Sequence, residues 1–245
     1  MTEADARGGG RETREADARG GGREIEGPQA IADMLRARPV FPAGLPEFDP
    51  RSAPADPVAL FSAWLRAAIR DQVPGPQAMT VATADRAGRT SSRVLLCKDV
   101  DEAGRWYFAS SAGSEKGREL AVNPRAALTF YWPQQGRQIR VRGVAAPAGR
   151  QASAADFLAL SPASRAEALT GHQSRPLDGL NELDEALRRA QAQVAADPGL
   201  VAAAWTLYAV SAEDVEFWQA DSRRRHIRLQ YQRTAGGWTR RLLWP

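Results

Sequence analysis

Two lysines are the residues whose type and setting most clearly suggest chemistry in this sequence. Lys98 and Lys116 are its only lysines, and the rest of the 33 basic residues are arginines. Lys98 ends the apolar run 93–98, and Lys116 lies in the small-residue stretch 110–117. A lysine ammonium is a compact point charge and an arginine guanidinium a planar fork, so the two do not exchange freely at an anion site. The pattern favours a phosphorylated ligand, although surface lysines retained under an arginine-rich codon usage would also explain it.

Composition places the chain among ordinary globular proteins. Charged residues make up 25% and hydrophobic residues 43% of the 245 residues, as in typical soluble domains. The net charge is +4, and the basic residues are scattered except at 223–225, so nothing indicates a nucleic-acid partner. No apolar stretch approaches the roughly 18 residues of a membrane span. The N-terminus also lacks the hydrophobic core of a signal peptide.

The cysteine and histidine content bears on redox and metal chemistry. Cys97 is the only cysteine and stands in an apolar run, so no disulfide can form within the chain. This usage predicts a reducing, cytoplasmic location and a buried, unreactive thiol. The two histidines and the cysteine lie far apart in sequence, and no metal site is expected.

The N-terminal segment differs from the rest of the chain. Residues 3–12 recur without change as residues 15–24, with three consecutive glycines in each copy. Such a segment buries too little apolar surface to offset its ordering entropy. We predict a disordered tail at 1–27, a proline-rich approach at 28–57 and one domain at 58–245.

Residue periodicity predicts mostly strands with interspersed helices. A helix should begin at Asp56-Pro57 and end before Val73-Pro74. The other predicted helices are 25–38, 114–123, 151–171 and 180–196. The predicted strands are 79–84, 92–100, 105–110, 126–132, 138–147, 205–210, 214–219, 227–233 and 238–243. This order predicts an α+β protein with a β-barrel core and helices outside it.

An ordered series of motifs extends over about 190 residues. The motifs are Asp56-Pro57, Leu60-Phe61, Trp64-Leu65, 78–83, 93–98, 113–117, Asn123-Pro124, 136–143, Gln173-Ser174, 215–219, 224–228 and 238–245. Through this series the chain resembles the pyridoxamine 5′-phosphate oxidase family of flavoproteins. The resemblance implies an FMN-binding split β-barrel, mostly antiparallel, with peripheral helices. It also implies a homodimer with FMN at the interface.

The resemblance assigns the flavin contacts residue by residue. They are Arg93, Ser110, Lys116, Gln138, Gln173, Ser174, Trp218 and Arg228. The residue types suit the assignment, because Arg93 and Lys116 can form charge-assisted hydrogen bonds to a phosphate. Gln138 offers both a donor and an acceptor to a flavin edge, and Trp218 is an amphipathic aromatic.

Four residues are implied for the substrate. They are Lys98, Ser164, Arg224 and His226, of which Arg224 and His226 are the expected catalytic pair. Alternation along a strand would place Arg224, His226 and Arg228 on one face. The alternative for His226 is a strand-end histidine that packs at the interface.

The sequence departs from the family pattern at several positions. Glu115 precedes Lys116 where members commonly have arginine, which bears on FMN affinity unless the carboxylate faces solvent. The substrate phosphate clamp of the family includes a tyrosine and an arginine, but Asp156 and Leu160 stand at those positions. An N-terminal arginine patch is replaced by 44–46, Gly-Leu-Pro.

Three functions remain open at this point. The first is an FMN-dependent oxidase that transfers a hydride to FMN, with reoxidation by O₂ to H₂O₂, acting on pyridoxamine or pyridoxine 5′-phosphate. The second keeps the flavin but oxidises a non-phosphorylated reduced ring, as the phenazine-biosynthesis members do. The third is a non-catalytic flavin- or pyridoxal-phosphate-binding protein, since fold alone does not fix chemistry.

Overall fold

The computed structural model describes residues 27–38, 41–42 and 44–245. For residues 27–30 it describes the backbone but not the side chains. The described residues divide into two compact units, one that ends at residue 38 and one that begins at residue 41. Helix α1 (Gly27–Arg36) belongs to the first unit. Most of the predicted disordered tail lies outside the described residues, so the disorder and the proposed domain limits stay predictions.

The second unit combines five helices with nine strands among its described residues. The helices are α2 (Pro57–Arg70), α3 (Glu115–Val122), α4 (Arg150–Leu158), α5 (Pro162–Leu169) and α6 (Leu180–Ala196). The strands are β1 (Ala78–Ala84), β2 (Thr90–Leu96), β3 (Asp99–Val100), β4 (Arg105–Ser111), β5 (Arg125–Trp132), β6 (Arg137–Pro147), β7 (Trp205–Gln219), β8 (Ile227–Thr234) and β9 (Gly237–Leu243).

All nine strands form one antiparallel sheet that branches at β7. The main path runs β2-β1-β5-β6-β7-β4-β3, while β8 pairs with β7 and β9 with β8. The first part of β7 pairs with β4 and its second part with β8, and β6 pairs along both parts. This curled antiparallel sheet with its helices is the predicted split barrel, and the predicted α+β fold class is confirmed.

The core lies on one face of the curled sheet, under α2. Phe61 on α2 packs against Trp106 and Phe130, with ring centroids 4.4 and 5.1 Å apart. Trp64, one turn further along α2, packs edge-on against Phe217 of β7. The start of α2 follows local sequence, because Asp56 accepts a hydrogen bond from the Val58 N–H and proline occupies the first helical position.

Three element boundaries differ from the prediction, each for a physical reason. The predicted strand 92–100 breaks after Leu96, because the next two N–H groups, of Cys97 and Lys98, donate to Gln77 and Tyr107 on different sides. The predicted helix 151–171 is two helices, since Ser161 caps α5 and Pro162 opens it. The two predicted strands at 205–219 are one strand, with a bulge opposite Arg142 and Gly143.

Candidate active site

Three buried side chains form a cluster at the end of β4 and the start of α3, and the exposed Gln173 hydrogen-bonds to it. The Lys116 ammonium donates to Ser110 Oγ at 3.0 Å and to Ser114 Oγ at 3.3 Å. Ser110 in turn donates to Gln173 Oε1 at 3.2 Å. Lys116 is only 5% exposed, and burial together with the charge of Arg93 lowers its pKa from the ordinary 10.5. A buried cation held by neutral hydroxyls is suited to receive an anion.

The local sequence folds this cluster through a helix cap and one glycine. Ser114 is the N-cap of α3 and accepts a hydrogen bond from the Gly117 N–H. A Cβ at Gly117 would lie 2.4 Å from the carbonyl oxygen of Ala112, so only glycine lets the loop approach the helix this closely. The approach carries Lys116 to the end of β4, beside Ser110.

Arg93 lies beside this cluster and is held by carboxylates and hydroxyls. It donates to Thr83 Oγ1 and Ser91 Oγ, both at 2.6 Å. Its guanidinium also lies 3.3 Å from the Glu115 carboxylate and 3.7 Å from that of Glu119. Glu115 is the residue that departs from the family pattern. It is 57% exposed, so it reaches Arg93 from the solvent side.

Glu119 is a buried carboxylate that sequence reasoning missed. Thr83 and Ser91 both donate to it. Burial alone raises the pKa of this carboxyl, but these hydrogen bonds and the charge of Arg93 lower it below the ordinary 4.5. Glu119 therefore stays ionised at neutral pH and fixes Arg93. The sequence signal for Glu119 was its position four residues after Glu115, which places both carboxylates on the same face of α3.

A cavity of about 590 Å³ brings four of the predicted site residues together. They are Lys98, Ser110, Ser164 and Gln173. The remaining lining is mostly apolar and includes Val94, Leu96, Leu160 and Leu183. Apolar walls with a few convergent polar groups are typical of small-molecule sites.

Lys98, which lines the cavity, is paired with the Asp156 carboxylate on α4. The Lys98 ammonium lies 3.3 Å from Asp156 Oδ1, and Trp205 Nε1 donates to Asp156 Oδ2 at 2.8 Å. Leu160, the other departure from the family pattern, lines the same cavity. The pairing gives the Asp156 departure a structural role, because it neutralises the cation that the resemblance assigns to a substrate phosphate.

Three further predicted residues form a row across neighbouring strands. Trp218 of β7 is paired with Gln138 of β6 on one side and with Arg228 of β8 on the other. Directly paired residues on neighbouring strands project from the same face of a sheet. The row is therefore one polar and aromatic surface, as a ring-binding site requires.

A second buried carboxylate holds Arg228 in this row. Glu216 is 2% exposed and accepts two hydrogen bonds from Arg228, at 2.8 and 3.1 Å. Arg140 on β6 donates to the same carboxylate at 2.5 Å. Sequence reasoning also missed Glu216 as a site residue. Its position two residues before Trp218 was the available signal, because residues two apart on a strand project from the same face.

His226 and Arg224 lie in the turn before β8, not on the strand. The His226 ring lies 5.1 Å from Trp218, and Phe41 packs against both rings. The prediction that strand alternation aligns Arg224 with His226 is wrong, because β8 begins only at Ile227. Arg224 instead has a positive φ of 64°, within a turn closed by its own N–H to Asp221 O.

The predicted residues thus fall into two groups. One group surrounds the cavity and the Lys116 cluster, and the other follows the row at Trp218 with its neighbouring turn. Ser174 directly follows Gln173 of the first group and has a positive φ of 68°. Across residues 44–245, no side-chain hydrogen bond or ion pair connects a predicted residue of one group with one of the other.

Among the described helices, none has the length and apolar character needed to cross a membrane.

Sequence comparison identifies relatives over most of the chain. The sequence model of the family described as pyridoxamine 5′-phosphate oxidase matches residues 65–233. A pyridoxine/pyridoxamine 5′-phosphate oxidase from Gluconobacter oxydans is 40% identical over 191 residues, which cover 78% of this chain and 95% of the relative. A protein of the same name from Nocardioides is 41% identical over 203 residues, covering 83% and 93%.

Solved structures agree with this relationship. PhzG from Burkholderia lata, in complex with tetrahydrophenazine-1-carboxylic acid, matches with a TM-score of 0.77 and 30% identity, covering 82% of this chain and 98% of PhzG. A pyridoxamine 5′-phosphate oxidase-related, FMN binding protein from Nostoc punctiforme matches in fold, with a TM-score of 0.62, 19% identity, and coverage of 75% and 96%. On these findings and the fold, the chain belongs to the pyridoxamine 5′-phosphate oxidase family, a family of FMN-dependent oxidoreductases.

Proposed function

We propose that this protein is an FMN-dependent oxidase that works as a homodimer on a ring-shaped substrate. The observation that carries the proposal is the Lys116 cluster, in which the buried ammonium donates its hydrogen bonds, among residues 44–245, to two neutral serine hydroxyls. An ammonium in that setting is stabilised by an anionic partner, and a flavin phosphate supplies one.

The residues present fit FMN in two parts. Lys116, Ser110 and Arg93 would hold the phosphate. Gln138, Trp218 and Arg228 would hold the ring system, with Gln173 and Ser174 completing the pocket. Glu119 and Glu216 fix the two arginines of this set, so both cations are already oriented before a ligand arrives.

A second copy of the chain is proposed because, across residues 44–245, no side-chain hydrogen bond or ion pair joins the two groups within one chain. Val94 and Leu96 also project, exposed, from β2 beside the cavity. Exposed apolar side chains next to a binding site are typical of an interface. Light scattering of the flavin-loaded protein should give twice the chain mass of 26.6 kDa. A monomer that retains flavin would exclude the dimer.

FMN would supply the hydride acceptor, with O₂ as the final oxidant and H₂O₂ as product. The chain's own contribution includes an oriented imidazole ring at His226. The Asp221 N–H donates to His226 Nδ1 at 3.1 Å, so Nδ1 is engaged as an acceptor and fixes the ring, and Nε2 is the other ring nitrogen. A hydrogen bond donated at Nε2 would orient an acceptor atom on the substrate ring.

Two substrates are candidates. Pyridoxine or pyridoxamine 5′-phosphate, giving pyridoxal 5′-phosphate, is supported by the names of the relatives and by Lys98, Ser164, Arg224 and His226. A non-phosphorylated reduced ring, related to the compound bound to PhzG, is favoured by the Lys98–Asp156 pair.

The test begins with the absorbance spectrum of the purified protein, which should show bound flavin. Anaerobic addition of each candidate should bleach the flavin, and air should restore it with one H₂O₂ per turnover. Bound flavin that no candidate bleaches would favour a non-catalytic binding protein. Absence of flavin after incubation with FMN would refute the proposal.

A further inference from the structure

We infer that the substrate of this oxidase carries no phosphate and places an uncharged, hydrogen-bonding substituent against Lys98, whose charge Asp156 neutralises. This inference rests on the function proposed above, under which the cavity is the substrate site. The observation behind it is the ion pair of Lys98, the lysine that lines the cavity.

Lys98 already has an anionic partner supplied by the protein. The Asp156 carboxylate lies 3.3 Å from its ammonium, with the two side chains 13% and 30% exposed. A phosphate that approached Lys98 would also approach this carboxylate. Like charges repel strongly where water is scarce, so the arrangement discriminates against a dianion.

Asp156 cannot easily turn away to admit a phosphate. Its second oxygen accepts the Trp205 Nε1 hydrogen bond at 2.8 Å. The next residue, Phe157, is fully buried and packs edge-on against the same tryptophan at 5.8 Å. Moving the carboxylate would break a hydrogen bond and leave a half-buried charge without its partner, which is unfavourable.

The rest of the cavity adds no net positive charge. Arg175 lines it, but so do two carboxylates, Glu167 and Glu182. With the charge of Lys98 neutralised by Asp156, the remaining charged lining is net negative by one. Much of the lining is apolar and includes Leu160, Leu177 and Leu183. Such a pocket suits a flat, largely apolar ring whose end group accepts a hydrogen bond from Lys98 or Ser164.

Pyridoxine and pyridoxine 5′-phosphate are a matched pair of probes, since they differ only in the phosphate. Calorimetric titration of the purified protein should give an affinity for the phosphate ester no more than threefold above that for the alcohol. Phenazine-1-carboxamide, a further ring without phosphate and with an uncharged hydrogen-bonding substituent, should also bind.

Asp156→Asn tests the cause of this preference. The amide oxygen can still accept from Trp205, but the negative charge is gone and Lys98 is released. We expect affinity for the phosphate ester to rise about tenfold or more, the scale of one charge-assisted hydrogen bond, with affinity for the alcohol unchanged. Leu160→Arg, which adds a cation to the cavity wall, should shift the preference in the same direction. Glu185→Gln, an equal change of charge on the exposed face of α6, is the control and should shift neither affinity.

The outcomes separate this inference from the proposed function. Wild type that prefers the phosphate ester tenfold or more, or that binds neither phosphate-free ring, overturns the inference even if the flavin is bound and reducible. An Asp156→Asn protein that folds normally with unchanged preference also overturns it. Protein that takes up no FMN refutes the proposed function, while the titrations still report the preference of the cavity.

Discussion

Replacement of Lys116 by methionine should weaken FMN binding without weakening the fold. Methionine keeps nearly the length and the apolar stem of lysine but removes the ammonium. We expect the FMN dissociation constant to rise roughly tenfold to a hundredfold, which corresponds to roughly 1.5–3 kcal/mol for one charge-assisted contact.

The effect on stability should have the opposite direction. Lys116 is 5% exposed and its pKa is lowered, first by burial and then by Arg93. The unfolded chain therefore holds this proton more tightly than the folded one, so the ligand-free protein gains stability as pH rises toward 10.5. Methionine carries no charge, so the variant does not have the free-energy cost of burying an ammonium. The melting temperature of ligand-free Lys116→Met should therefore equal or exceed that of wild type.

The assay is fluorescence titration of apoprotein with FMN, together with thermal melts at pH 7 with and without FMN. Arg86→Met is the matched control, because it also removes one positive charge but from the exposed turn between β1 and β2. It should change neither quantity. Equal FMN affinity in Lys116→Met and wild type would refute the phosphate assignment. A large fall in the melting temperature without ligand would show instead that the ammonium is a structural element.

Three other changes probe the site and the fold. His226→Ala should lower kcat/KM far more than Arg225→Ala at equal flavin content, and the reverse order would remove His226 from the site. The Glu119 carboxylate has a lowered pKa, so its stabilisation is present above pH 4.5 and lost as pH falls through the lower folded value. Glu119→Gln should therefore flatten the acid limb of a denaturant-based stability profile, and an unchanged limb would contradict this. Gly143→Ala would place a Cβ 2.1 Å from the Ser211 carbonyl oxygen. It should destabilise the protein by roughly 1–3 kcal/mol in urea, whereas Gly236→Ala, with open space around it, should not; similar midpoints would show that the bulge relaxes.

Local signals predicted most of the elements of the second unit. Asp56-Pro57 and Ser114 mark helix starts through capping, and both helices begin there. Helix α6 occupies the predicted range 180–196. These features depend on neighbours within a few residues, which a sequence displays directly.

Features that depend on distant partners were not predictable in the same way. The sequence predicted two strands, 205–210 and 214–219, but pairing with β6 carries β7 through 211–213 as one strand with a bulge. The resemblance named Arg93 and Arg228, whereas the carboxylates that hold them, Glu119 and Glu216, appeared only in three dimensions. The Asp156 departure was visible in the sequence, but its pairing with Lys98 required the packing of α4 beside β7.

The branching of the sheet at β7 has a consequence for the biosynthesis of the protein. β4 and β6 are both complete long before the ribosome reaches Trp205, yet each has β7 as a neighbour. Until that strand emerges, the nascent chain carries two open sheet edges, which are the surfaces through which strands aggregate. The N-terminal portion therefore cannot finish folding as it is made. A chain truncated before residue 205 should be a target for chaperones and proteases, not a smaller working enzyme.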